Sequence, residues 1–220
     1  MEKEGSKISP VIAIIAVAVT FMLSLFVGTA FYLLFGIGFT LVFGELLIVV
    51  VPLGYMLYKR INISSYVGLN INLRNALLGL AFGAFLFVFG LFVSAAIISI
   101  LGESAAVRES NTMILDLTAT PQGILLLIAA LSLAGVCEEF TFRGFLQKAV
   151  NSKYSFKIAV LVSSLAFGLF HLDPQGTYSI WAFFIGLLLG YIYHRTGSYL
   201  TSAVAHATLN LIGLAVIFLV

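Results

Sequence analysis

Seven apolar stretches, each about as long as a helix needs to cross a bilayer, constrain this chain more than any other feature. A hydrocarbon core of roughly 30 Å takes about 20 residues of helix, and a helix satisfies its own backbone there. The stretches run from about Pro10 to Phe35, Phe39 to Tyr58, Ala76 to Leu101, Pro121 to Val150, Lys157 to Leu172, Tyr178 to His194 and Tyr199 to Val220. They predict an all-α fold, a polytopic membrane helical bundle of about seven transmembrane helices. Residues 1–220 then form a single integral membrane domain. Composition agrees, because only 9% of the residues are charged, against about 25% in soluble domains. The net charge of +2 gives no footprint for nucleic acid, and the single cysteine, Cys137, excludes an internal disulfide. The first apolar run is too long for a signal peptide, so it is expected to stay in the mature protein.

Ten of the eleven basic residues fall at one set of alternating span ends: Lys3, Lys7, Lys59, Arg60, Arg74, Arg143, Lys148, Lys153, Lys157 and Arg195. Only Arg108 falls at the other. This asymmetry predicts a multi-pass protein of the cell membrane with a cytoplasmic N-terminus. The connector from Gly102 to Thr120 is the most polar stretch and is expected to be a mobile loop.

Ionisable groups inside a bilayer are costly and face a bundle interior or a wet cavity. The stretch CEEFTFRGFL, Cys137 to Leu146, follows a run without charge and brings in Glu138, Glu139 and Arg143. In a helix, Glu139 and Arg143 stand i and i+4 on one face, while Glu138 points about 100° away. One glutamate can be neutralised by the arginine while its neighbour stays free. The same spacing of four joins Phe167 to His171 and His206 to Asn210. At about 1.5 Å per residue from the cytoplasmic ends, Glu138, His171, His206 and Asn210 lie roughly 18, 21, 12 and 18 Å deep. Three helices thus bring polar groups to one layer.

A carboxylate beside an imidazole can hold and deprotonate a water, and an imidazole with an amide can stabilise an oxyanion. The set suits amide hydrolysis within a membrane. Glutamate and two histidines are also zinc ligand types, although the HExxH signature is absent. Buried Glu and His also build proton relays, so a small proton-linked transporter is the reading from another class.

The motifs EExxxR, FxxxH and HxxxN, in this order on successive spans, resemble the CAAX-protease and bacteriocin-processing (CPBP) family of intramembrane endopeptidases, whose eukaryotic branch is the type II CAAX prenyl endopeptidase. They stand here as Glu138–Glu139 to Arg143, Phe167 to His171 and His206 to Asn210, within a likeness over about residues 122–211 and a catalytic core of about 121–220. The resemblance implies a peptidase acting on a peptide or lipidated protein in contact with membrane lipid. It implies that Glu138 and His171 activate the water, and that His206 and Asn210 supply the oxyanion site. Glu139 with Arg143 would be the structural and electrostatic partner of the base. The family has been described both as metalloproteases and as glutamate-dependent proteases. No cofactor is expected here, because His206 has only Asn210 nearby on its own helix. Zinc on Glu138, His171 and His206 is the alternative. The same fold could also serve as a non-proteolytic scaffold or immunity protein.

Other polar residues receive plainer readings. Glu45 is expected to make an interhelical hydrogen bond, Cys137 to behave as a small hydrophobe, and Asp173 to belong to the HLDPQG turn. The Asn62–Ser64 sequon falls on the cytoplasmic side and is set aside.

Overall fold

A computed structural model describes residues 8–218, so Lys3 and Lys7 of the charge count lie outside it. The described residues form helices α1 (Pro10–Phe35), α2 (Ile37–Tyr58), α3 (Ile63–Val67), α4 (Leu73–Leu101), α5 (Ala105–Thr118), α6 (Pro121–Glu139), α7 (Lys148–Asn151), α8 (Phe156–Phe170), α9 (Thr177–Thr196) and α10 (Tyr199–Ile217). Between α6 and α7 the chain continues without a break as a π-helical stretch, Phe140–Gln147. Six helices, counting residues 121–151 as one, are long and apolar enough to cross a membrane. The seventh expected span, α8, has 15 residues, about 22 Å of helix. It falls short of the bilayer core and ends at His171.

The glycines position the helices. A Cβ at Gly79 would lie 2.6 Å from Val204 Cβ, and one at Gly83 would lie 2.6 Å from the Ala205 carbonyl, so α4 runs parallel to α10 in close contact. Gly135 faces the backbone of Ala203 and Ala207, and Tyr199 and Asn210 reach the carbonyls of Val136 and Leu131, which pairs α6 antiparallel with α10. Gly168 meets Phe183 and Gly186 meets Ser164, an antiparallel pairing of α8 with α9. These directions alternate as seven successive crossings require, with α8 as the short member. The outer faces carry large exposed apolar side chains, such as Leu33, Phe92 and Ile100, the surface expected against lipid.

The expected mobile loop is a helix instead. Ser104 caps α5 by accepting from Val107 N at 3.4 Å, and the stretch AAVRESNTMILDLT contains no glycine or proline to stop a helix. Its polarity reflects a helix with no buried residue, not the lack of one. Asp173 anchors the same end of the bundle, accepting from Ser104 Oγ at 3.0 Å, Thr177 Oγ1 at 3.1 Å and Tyr178 N at 2.9 Å. Burial would raise its carboxyl, but these bonds and one from Ser179 N outweigh that and hold it below its ordinary value.

Close packing at Gly135 has a measurable consequence. An added Cβ would stand 2.6 Å from Ala207 N and 2.7 Å from the Ala203 carbonyl, backbone atoms that cannot swing away. Overpacking of this kind costs about 1–3 kcal/mol. Gly135→Ala should lower the thermal midpoint in detergent and push α10 off α6. Gly28→Ala, with open space at its Cβ, should leave the midpoint unchanged. Equal midpoints for the two variants would contradict this packing.

Candidate active site

Glu138 and Glu139 are both buried at the end of α6, yet they have opposite surroundings. Glu139 is fully enclosed and saturated. Its Oε1 lies 3.0 Å from Arg143 Nη1 and 3.1 Å from His206 Nδ1, and its Oε2 accepts from the Ser202 hydroxyl. Glu138 Oε2 has no hydrogen-bond partner among the described residues. Arg143 thus pairs with Glu139, four residues before it, and with no oxygen of Glu138 among the described residues.

Arg143 shows why the helix changes pitch here. All eight residues of the π-helical stretch are buried, and π-turns are rare and tend to occur at functional sites. From this stretch Arg143 Nη2 donates to the Gly186 carbonyl at 3.2 Å, and Gln147 Nε2 donates to the Gly190 carbonyl at 2.9 Å. The two pairs are four residues apart on both helices, so this segment runs parallel to α9. Thr141 Oγ1 ties the same stretch to α2 through the Ile48 carbonyl at 2.9 Å. A guanidinium with no exposed surface is thereby fixed by one carboxylate, one carbonyl and the face of Phe167, whose ring centre lies 4.4 Å from Arg143 Cζ.

Phe167 explains its place in the FxxxH motif. Its ring lies between the guanidinium and both imidazoles, with centroids 4.6 Å from His171 and 5.6 Å from His206. His171 Nδ1 sits 2.8 Å from the Phe167 carbonyl. A carbonyl only accepts, so Nδ1 carries the hydrogen and Nε2 presents its lone pair. That Nε2 is 3.8 Å from Glu138 Oε2. Tyr178 braces the ring edge-on at 5.2 Å and stacks on Trp181.

His206 obeys the same rule through another partner. Its Nδ1 faces the Glu139 carboxylate, also an acceptor, so Nδ1 carries a hydrogen, and Nε2, 3.9 Å from Glu138 Oε2, is the lone-pair nitrogen of the neutral ring and a donor in the charged one. The expectation that His206 has only Asn210 nearby on its own helix left this acceptor out. The acceptor arrives from α6 across the interface. A histidine oriented by a carboxylate is common to metal sites and to proton-transfer dyads, so a missing acceptor no longer speaks against metal.

With both rings neutral, three acceptors converge: one carboxylate oxygen and two imidazole nitrogens. Such a point must be held by a donor or a cation. The separations of 3.8 and 3.9 Å exceed a hydrogen bond and leave room for a bridging atom. As they stand, no three His, Cys, Asp or Glu side chains among the described residues are close enough to chelate an ion. The donor chemistry suits zinc, but at these spacings the side chains would have to draw in around it.

Glu138, His171, His206 and Asn210 line one cavity of about 370 Å³. The Asn210 amide reaches the Leu131 carbonyl at a long 3.4 Å, a contact weak enough to exchange for another acceptor. Glu45 does not behave as expected. Among the described residues it makes no interhelical hydrogen bond, and it lines the same cavity with Oε2 unpartnered. Ser202 went unnoticed in the sequence, although it stands four residues before His206 and extends HxxxN one turn back. Cys137 is buried, and none of the hydrogen bonds that build the site involves it.

Residues 120–212 match the family described as Rce1-like, type II CAAX prenyl endopeptidase. No curated protein and no solved structure matches the chain. The matched segment holds all three motifs, with Glu138, Glu139, Arg143, His171, His206 and Asn210. This match over residues 120–212 is consistent with the CPBP resemblance of the motifs.

Proposed function

We propose that this protein is an intramembrane endopeptidase that hydrolyses peptide bonds of membrane-associated peptides or lipidated proteins. The observation that carries the reading is the meeting of Glu138 Oε2, His171 Nε2 and His206 Nε2 in a buried cavity. A water there can donate to two of these acceptors and direct a lone pair at a substrate carbonyl. Glu138 takes one of its protons as the oxygen bonds to the carbonyl carbon, and the carbonyl π pair moves onto oxygen. Asn210 and a protonated His206 Nε2 donate to that oxyanion. With His206 charged, the buried cluster balances Arg143 and His206 against Glu138 and Glu139. Collapse of the intermediate expels the amine, which leaves with the proton held by Glu138.

No metal is needed in this reading. Glu138, His171 and His206 are the residues that would hold zinc, which would supply Lewis acidity toward the water when bound. The test is cleavage of an internally quenched peptide panel, with and without a C-terminal farnesyl group, by purified protein in detergent. Cleavage is expected to persist at its full rate after exhaustive chelation, with no stoichiometric metal by elemental analysis. One zinc per chain, lost together with activity and restored with it, would move the three side chains from water-holding to ligation. Cleavage of no peptide, farnesylated or not, would remove the peptidase reading.

A further inference from the structure

The catalytic cavity has a second polar wall outside the family-matched segment. It is built by α1 and α2, where Ser24 and Glu45 line the same space as Glu138, His171 and His206. Ser24 Oγ and Glu45 Oε2 are both buried, and neither has a hydrogen-bond partner among the described residues. Thr20, one turn before Ser24, shows how a hydroxyl in this helix normally satisfies itself. Its Oγ1 donates to the Ala16 carbonyl at 2.9 Å. Glu45 stands in a span whose neighbours are apolar, GELLIVVVP, where a carboxyl group is costly unless it meets a partner.

We infer that Ser24 and Glu45 form a substrate-backbone subsite, which hydrogen-bonds the peptide groups of an extended segment beside the scissile bond. This rests on the peptidase reading above. A peptide drawn into a membrane cavity carries N–H and C=O groups that lipid cannot satisfy, and each left unmade is expensive. A carboxyl group accepts from an N–H and a serine hydroxyl donates to a C=O, so the pair offers both halves of a peptide-group contact. The machinery contributed by α6, α8 and α10 offers a substrate only groups committed to the reacting carbonyl. The α1–α2 wall supplies the donors and acceptors that hold the rest of the strand. Glu45 and Ser24 are positioning residues, and their effect falls on binding.

The experiment uses full-length protein in detergent and an internally quenched peptide that the parent cleaves, together with copies N-methylated at single positions on either side of the cleaved bond. Glu45→Leu, an apolar change in an apolar span, is expected to raise KM about tenfold with kcat within about twofold. Glu45→Gln, whose amide still accepts, should stay near the parent. One N-methyl position should raise KM about tenfold in the parent and have no further effect in Glu45→Leu. Unchanged KM in Glu45→Leu, or N-methyl effects that simply add to that variant, would overturn the subsite. A fall of kcat a hundredfold in Glu45→Gln would instead make Glu45 a proton carrier and equally overturn it. Failure of the parent to cleave any peptide would sink the peptidase reading, and binding of the same peptides to Glu138→Gln would still test the subsite by affinity.

Discussion

Glu138→Gln is expected to reduce cleavage roughly 10²- to 10⁴-fold, the range lost with a general base, while leaving fold and peptide affinity close to the parent's. The substitution is isosteric. It replaces an oxygen with no hydrogen-bond partner among the described residues, so no structural contact is broken. What changes is the meeting point with His171 Nε2 and His206 Nε2. An amide group there can no longer take a proton from water, and its NH₂ can fill the position that the water would occupy. Cleavage rate, thermal midpoint and peptide affinity should therefore separate cleanly, with only the first affected. A Glu138→Gln protein that cleaves at the parent rate would remove Glu138 from the chemistry. One that fails to fold would mean that Glu138 has a structural partner not seen in its present surroundings.

Much of this site could be read from the sequence because its parts repeat one spacing. Glu139–Arg143, Phe167–His171 and His206–Asn210 are each i and i+4 pairs, and helical periodicity places such pairs on one face without tertiary information. The layer shared by three helices followed from apolar run lengths alone. What stayed hidden depends on contacts between helices. The Glu139–His206 pair spans 67 residues of sequence, and nothing in either local pattern requires it. Glu45 looked like an isolated polar residue because its cavity is made by five other helices. The polar stretch around α5 read as a loop because helix signals rest on an apolar stripe, and α5 buries none of its residues. The π-helical stretch was also invisible, since a uniform 3.6-residue period carries straight through Phe140–Gln147.

Glu139→Gln should be far more damaging to the fold than its neighbour's change, costing about 3–5 kcal/mol as the loss of one partner from a buried ion pair does. Arg143 has no exposed surface, and Glu139, at 3.0 Å, is the one carboxylate that pairs with it among the described residues. An amide in place of that carboxylate would leave the guanidinium with the Gly186 carbonyl and the Phe167 ring, which attract it but do not neutralise it. The same oxygens also hold Ser202 and His206, so activity should fall with stability. Glu139→Gln combined with Arg143→Met separates the two roles. Removing both charges replaces the stranded ion with apolar volume, and such replacements of buried pairs are often neutral. The double variant should recover most of the lost thermal midpoint in detergent. It should not recover cleavage, because His206 Nδ1 would still face an amide in place of a carboxylate and Nε2 would lose its support for a proton. Recovery of both properties would show that Glu139 serves only to neutralise Arg143. Recovery of neither would place the cost in the Gly186 and Phe167 contacts of the arginine itself.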